Sequence, residues 1–133
     1  MEEVWKGYIS SRPMADNFVP QRVQNMVIRE YVKSKGRNFS LSATEYYMDD
    51  CFMILDALLK EIENFGAIVF YSTHQLPQDE NHRKKIFDIL LESKKELHFA
   101  LESISIKSIN DVRMMEDLLM ARELSLLKDQ ISL

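Results

Sequence analysis

Two hydroxyls and a guanidinium follow the first apolar segment of the chain, at Ser10, Ser11 and Arg12, directly before Pro13. A serine hydroxyl becomes a nucleophile when a base lies within hydrogen-bond reach, and a guanidinium binds a carboxylate or phosphate through two parallel hydrogen bonds. Serines at a strand end also serve as turn or cap residues, and an arginine there can make a structural ion pair. We therefore predict an anion-binding residue at Arg12, with a serine nucleophile left as an open alternative.

Groups that could transfer protons occur in three later segments, at Glu45, His74 and Glu102. Two carboxylates can divide the acid and base roles when burial separates their pKa values, and His74 is the only histidine placed to serve a strand-end serine. Helix capping and loop solvation are the structural alternatives for these three residues. Further polar and aromatic side chains complete the predicted ligand site, namely Gln21, Tyr46, Tyr71, Ser72 and Gln75.

Four β-prone segments alternate with four helical patterns, and together they would position these groups. The strands are predicted at residues 5–10, 38–43, 67–71 and 96–102. The helices are predicted at residues 20–35, after a cap at Asp49 or Asp50, after the polar loop 72–79, and after a cap at Ser108 or Asn110. Strands that alternate with helices indicate right-handed crossovers and a parallel sheet with helices on both faces.

This order predicts a single α/β domain over residues 1–133. The predicted fold is three-layered and flavodoxin-like or resolvase-like, with a four-stranded parallel sheet in the order 2-1-3-4. The carboxyl ends of parallel strands meet at one edge of the sheet, where open α/β folds bind their ligands. We therefore expect the candidate residues to share one crevice at that edge.

The composition limits the classes of partner and cofactor. The formal net charge is −4, with 21 acidic and 17 basic residues, which argues against a nucleic-acid partner because such proteins usually carry a basic surface. No Gly-rich phosphate loop occurs, and His82 and His98 lack partners at metal-ligand spacing, so no cofactor and no metal are expected. A single cysteine, Cys51, and the lack of a long apolar run predict a cytoplasmic protein without membrane contact.

The last helical pattern contains more apolar residues than one buried face requires. They are Val112, Met114, Met115, Leu118, Leu119, Met120, Leu124, Leu126 and Leu127. Methionine side chains suit adaptable contacts between molecules, although burial in the core is the more common explanation. The pattern predicts a homo-oligomer formed through the C-terminal helix.

Several segments resemble the sporadic carbohydrate cluster family, which consists of small bacterial proteins from surface-polysaccharide gene clusters. The resemblance rests on residues 7–13, 19–25, 28–29, 41–46, 71–72, 75–77 and 96–100. It implies a setting in surface-carbohydrate biosynthesis and carries over no catalytic residue.

A second, fold-level resemblance is to the catalytic domain of serine recombinases, or resolvases. It rests on the spacing of Tyr8, Gln21 and the segment from Tyr71 to Pro77 before a helix. In that family an arginine lies two residues after the tyrosine, and the nucleophilic serine lies two residues after the arginine. This chain has Ser10 at the first of these positions and Arg12 at the second. The loop after the third strand also lacks the family's arginine. The resemblance therefore implies the scaffold without the recombinase activity.

We interpret the chain as an enzyme that acts on a small anionic sugar or sugar-nucleotide intermediate of bacterial surface-carbohydrate biosynthesis. Arg12 would bind the anionic group, and Glu45, His74 or Glu102 would transfer protons. The alternative is a non-catalytic accessory or oligomerising binding module of the same gene clusters. A third interpretation is N-glycoside cleavage with Glu102 as the nucleophile, because nucleoside deoxyribosyltransferases are built on a similar flavodoxin-like sheet. Whether the chain is an enzyme stays open.

Overall fold

The computed structural model describes residues 3–131. Its strands are β1 (Trp5–Ile9), β2 (Phe39–Thr44), β3 (Ala67–Phe70), β4 (Glu96–Phe99) and β5 (Ile104–Ile106). Its helices are α1 (Gln21–Ser34), α2 (Met53–Lys60), α3 (Glu80–Glu92) and α4 (Ile109–Ile131), with short 3₁₀ turns at Ile62–Asn64 and Thr73–Gln75. None of these helices is long and apolar enough to cross a membrane.

The sheet has the order β2-β1-β3-β4-β5. Its first four strands pair in parallel, which confirms the predicted order 2-1-3-4. The prediction of four strands is wrong by one, because β5 pairs antiparallel with β4 and places Ile106 opposite Leu97. The chain turns back after Phe99 through Ser103, whose φ of 55° gives the left-handed conformation that a tight turn needs.

The two faces of the sheet carry separate cores. On one face, Trp5 and Val69 of the strands pack against Ile28, Tyr31 and Val32 of α1. The other face packs against α2, α3 and the first turns of α4, through residues that include Leu55, Leu58, Phe87, Leu90 and Met115. This arrangement gives the three predicted layers, with α1 and α4 on opposite faces of the sheet.

Gly7 allows β2 to approach β1 at an irregularity in their pairing. The register between the two strands shifts between Lys6 and Tyr8. A Cβ atom at Gly7 would collide with the Ser42 side chain and would lie 3.1 Å from the Phe39 ring. A side chain at this position would therefore force β2 away from the centre of the sheet.

The capping of α2 differs from the prediction. The helix begins at Met53, and neither Asp49 nor Asp50 accepts a hydrogen bond from its first turn. The carboxylate of Glu45, at the end of β2, accepts the hydrogen bonds of the Ile54 and Leu55 amides instead. The unpaired N–H groups of a helix start are thus satisfied from a neighbouring strand.

Candidate functional site

The ends of β1 and β3 are joined by a buried amide network around Ser10. Ser10 is 1% exposed, and its Oγ accepts a hydrogen bond from Nε2 of Gln75 at 3.2 Å. Gln24 holds the Ser10 backbone on both sides, because its Nε2 donates to the Ser10 carbonyl at 2.6 Å and its Oε1 accepts from the Ser10 amide at 3.2 Å. An amide is not a base, so this contact does not activate the Ser10 hydroxyl as a nucleophile.

Of the two glutamines in the first turn of α1, Gln24 takes part in this network and the predicted Gln21 does not. Gln24 is fully buried, whereas the predicted Gln21 is exposed at the start of α1. Gln24 lies four residues before Ile28 and seven before Tyr31. This helical spacing places all three side chains on the face of α1 that packs on the sheet, and so predicts that Gln24 is buried.

Glu102 positions the turn that follows β3. Its Oε2 accepts hydrogen bonds from Ser72 Oγ at 2.7 Å and Thr73 Oγ1 at 2.8 Å, and its carboxylate also accepts from the Thr73 amide. Arg122 of α4 lies 3.7 Å from the same oxygen. Glu102 therefore connects three elements of the fold, and its lone pairs are directed at those partners.

Ser72 and Gln75 form a reciprocal cap on the same turn. The Ser72 Oγ accepts a hydrogen bond from the His74 amide, and the Gln75 Oε1 accepts one from the Ser72 amide. This capping box leaves Gln75 Nε2 free to bridge Ser10 and Gln24. The polar groups of Ser72 and Gln75 are therefore used in hydrogen bonds within the protein.

The carboxylate of Glu45, at the end of β2, is buried and 2% exposed, whereas that of Glu102 is half-buried. Besides the two α2 amides, Glu45 accepts hydrogen bonds from the Tyr8 hydroxyl at 2.8 Å and from the Tyr46 amide at 3.1 Å. Burial, and then the charge and hydrogen bond of Glu45, raise the pKa of Tyr8 far above its usual value. Tyr8 thus stays protonated and donates to Glu45, and the Cys51 thiol, 3.9 Å from Oε2, is a fifth donor to the same carboxylate.

Arg12 lines a cleft of about 380 Å³ beside this network. Its Nη1 donates to the Cys51 carbonyl at 2.8 Å, and its guanidinium carbon lies 4.5 Å from the centre of the Phe52 ring. The carboxylates of Asp49 and Asp50 line the same cleft, together with His74. Partial burial, followed by the charge of Arg122, lowers the pKa of His74 below its usual 6.5, although the Glu102 carboxylate opposes the shift, so the neutral ring is favoured.

The structure brings together only part of the predicted site. Ser10, Arg12, His74 and Gln75 line the cleft, whereas Gln21 and Tyr46 are exposed and Ser11 is half-buried outside it. Tyr71 packs into the core beside α1. Their roles in binding or catalysis stay predictions. Within residues 3–131, no group of three His, Cys, Asp or Glu side chains could hold a metal ion.

Comparison with solved structures identifies the fold. No family model matches the sequence, and none of the curated proteins matches it. The N-terminal catalytic domain of TP901-1 integrase is 17% identical, with a TM-score of 0.64 over 96% of this chain and 99% of that chain. A resolvase family site-specific recombinase from Streptococcus pneumoniae is 7% identical, with a TM-score of 0.63 over 95% of this chain and 93% of that chain.

These neighbours confirm the fold-level resemblance to recombinase catalytic domains. The resemblance to the sporadic carbohydrate cluster family finds no support. The predicted function in surface-carbohydrate biosynthesis is contradicted, both as an enzyme and as an accessory module, because the structures that share the fold are recombination proteins.

Two predicted partner properties, a sugar ligand and the exclusion of nucleic acid, are contradicted by the same comparison. The sugar ligand was inferred from strand-end polar groups, most of which hydrogen-bond to one another. The exclusion of nucleic acid was inferred from the net charge of −4, which averages over the surface and does not report how charges are distributed.

Proposed function

We propose that the chain is a recombinase-fold assembly domain that pairs with a second copy of itself through α4. The observation that carries this proposal is a stripe of exposed apolar side chains on the second half of that helix. Met120 is 61% exposed, Leu124 60%, Leu127 48% and Ile131 81%. We call these four residues the α4 stripe.

The spacing of the α4 stripe supports a helix–helix contact. Its members follow one another at intervals of four, three and four residues. This is the period of roughly 3.5 residues at which two helices keep one seam in contact along a coiled coil. The stripe extends over about 16 Å of helix, at 1.5 Å per residue.

The α4 stripe lies on a different side of the helix from the residues that hold α4 to its own domain. Met115 is buried, and Leu119 is half-buried against the core. At 3.6 residues per turn, these two residues are rotated by roughly 110–150° from the centre of the stripe. The stripe therefore faces away from its own sheet, which leaves it open to a partner helix.

Pairing would remove an energetic cost of this arrangement. The last turns of α4 have no buried residue, and helices of a few turns without tertiary contacts are marginal in water. Burying a leucine, isoleucine or methionine side chain stabilises by about 1.5–3 kcal/mol relative to leaving it exposed. A second copy supplies the same stripe, as the closed symmetry of a dimer requires.

Strand cleavage by a serine nucleophile does not form part of the proposal. The position of the nucleophilic serine in the resembling recombinase pattern is occupied by Arg12, which contacts Cys51 and Phe52. The arginine position of that pattern is occupied by Ser10, which is buried and held by Gln24 and Gln75. These side chains provide neither the attacking hydroxyl nor the guanidinium that the pattern places there.

Size-exclusion chromatography with light scattering tests the pairing. The wild-type chain is expected at twice its mass of 15.7 kDa, and the double variant Leu124→Glu/Leu127→Glu at the monomer mass, because charges in the seam oppose burial. The matched control Leu101→Glu/Met114→Glu changes two exposed apolar residues outside the stripe and is expected to stay dimeric. A monomeric wild type, or equal loss of the dimer in both variants, would overturn the proposal.

A further inference from the structure

The outer face of α1 and the turn after it carry a concentration of positive charge. Residues 21–37 contain five basic side chains and one acidic side chain, Glu30, although acidic residues are in excess in the whole chain. The basic residues are Arg22, Arg29, Lys33, Lys35 and Arg37, and all five are exposed. We call them the α1 basic face.

Three of these cations form a row. Arg22, Arg29 and Lys33 are separated by seven and four residues, which places them on one side of an α-helix. At 1.5 Å per residue, the row extends about 16 Å along the helix axis. The buried residues Gln24, Ile28, Tyr31 and Val32 face the sheet on the other side.

The charges of the α1 basic face have no compensating carboxylate in the described part of the chain. Within residues 3–131, none of its five members forms an ion pair with a carboxylate, whereas Arg83, Lys84 and Lys95 do.

Three members of the face lie over aromatic rings instead. Arg29 lies 5.7 Å from the centre of the Phe39 ring, and Arg37 5.9 Å from that of Trp5. Lys35 lies 5.4 Å from the centre of the Tyr31 ring. Such contacts fix a cation without using its N–H donors, which stay available to an external acceptor.

We propose that the α1 basic face binds the phosphate backbone of duplex DNA. A duplex carries a phosphate about every 3.4 Å along each strand, so a straight row of cations can meet several phosphates without a pocket. An amphipathic helix that binds membranes would also need several large apolar anchors, and the exposed apolar residues between Arg22 and Lys33 are Met26, at 60%, and the small Val23, at 41%. The two recombination proteins that share the fold agree with a nucleic-acid partner.

This inference goes beyond the proposed pairing and does not depend on it. The α1 basic face lies on one face of the sheet and α4 on the other. Variants of the basic face should therefore leave the mass of the assembly unchanged, and a failure of one proposal can be distinguished from a failure of the other.

Fluorescence anisotropy with a labelled duplex of about 20 base pairs and arbitrary sequence tests this inference over about 50–200 mM salt. The variant Arg22→Gln/Arg29→Gln/Lys33→Gln is expected to bind about tenfold or more weakly than wild type, with a salt dependence shallower by about 2–3 in log–log slope. The matched control is Lys60→Gln/Lys85→Gln/Arg113→Gln, which removes the same charge from exposed residues of α2, α3 and α4 and should bind as wild type does.

Each other outcome overturns the inference. Equal weakening of both variants would show that only net charge matters, and an α1 variant that binds as tightly as wild type would remove this face from the interaction. No binding by the wild-type chain at low salt would exclude DNA. The same experiment is done with phosphatidylserine vesicles. If the α1 variant weakens binding to vesicles but not to the duplex, the α1 basic face binds membranes and not DNA. Circular dichroism checks that all variants are folded.

Discussion

At the scale of single residues, the buried carboxylate of Glu45 supports the fold. Glu45 accepts hydrogen bonds from Tyr8, Tyr46, Ile54 and Leu55. A carboxylate is suited to this position because both of its oxygens only accept hydrogen bonds. In a glutamine, the NH₂ group would replace one of the two accepting oxygens and would face an N–H or O–H donor. The substitution therefore breaks the network although the side chain keeps its shape.

Glu45→Gln is therefore expected to lower the free energy of unfolding by about 3 kcal/mol, since it leaves buried donors without an acceptor. Urea unfolding followed by circular dichroism measures the change. Glu123→Gln, which alters an exposed carboxyl group on α4, serves as the control and should be close to wild type. An unchanged midpoint for Glu45→Gln would show that its hydrogen bonds do not stabilise the fold.

His98 is a second buried polar residue, 2% exposed and stacked on Trp5. Its Nε2 lies 2.8 Å from the Glu96 carboxylate, which can only accept, so Nε2 carries the proton and Nδ1 accepts from the Tyr31 hydroxyl at 2.6 Å. Burial lowers the pKa of His98 below its usual 6.5, although Glu96 opposes that shift. The folded state therefore favours the neutral ring.

This pKa shift predicts a dependence of stability on pH. Because the folded pKa lies below the unfolded value, the unfolded chain binds more protons as the pH falls below about 6.5, and stability is lost in that direction. Unfolding measured between about pH 7.5 and pH 5.5 should show a larger loss for wild type than for His98→Gln. The same pH dependence in both proteins would rule out His98 as the titrating group.

At the scale of elements, the alternation of apolar segments and helical patterns predicted the four β-α units, because periodicity is a local property of the sequence. The end of the sheet was missed, since β5 has only three residues and follows a tight turn through Ser103. The start of α2 was also misplaced. The amides of its first turn donate to Glu45, and this contact depends on how β2 packs and not on adjacent residues.

Part of the predicted site shares one cleft, whereas other predicted residues hydrogen-bond to one another. The strand ends do bring Ser10, His74 and Gln75 to one cleft. The capping box of Ser72 and Gln75 is a local pattern with a spacing of three residues, and the sequence analysis assigned both residues to ligand binding instead. The sequence could not reveal that Glu102 is shared by Ser72, Thr73 and Arg122. Such pairings are decided by the tertiary fold, which brings together residues far apart in the chain.

An ion pair between Arg83 of α3 and Glu116 of α4 attaches these two helices to each other. Arg83 makes two hydrogen bonds to Glu116, of 2.7 and 2.9 Å, and donates two more to the carbonyls of Pro77 and Gln78. Arg83→Lys cannot reproduce this forked geometry, and we expect it to lower the free energy of unfolding by about 2 kcal/mol.

Urea unfolding of Arg83→Lys, Glu116→Gln and the double variant would measure the coupling between the two side chains. The exposed pair Lys84–Asp88 on α3 is the control, and Lys84→Gln should have little effect because solvent screens that pair. Additive effects of the two α4-attachment variants would contradict a direct interaction.

At the scale of the whole molecule, the sheet separates two surfaces with different properties. The α4 stripe is apolar and suits a second copy, whereas the α1 basic face is charged and suits phosphates. In a symmetric pair each copy keeps its own α1 basic face, so one assembly would present two of them. The net charge of −4 conceals this separation, because the acidic excess lies on other parts of the surface.

Cysteine cross-linking across α4 tests the pairing most directly. In a Cys51→Ser background, single cysteines are placed at Met120, Leu124, Leu127 and Ile131, and at Met114 as an exposed position of α4 outside the stripe. Oxidation is expected to give a covalent dimer from at least one stripe position and none from Met114, because only residues facing the partner bring two sulfur atoms within bonding distance. Cross-linking from Met114 alone, or from no position, would contradict pairing through this stripe.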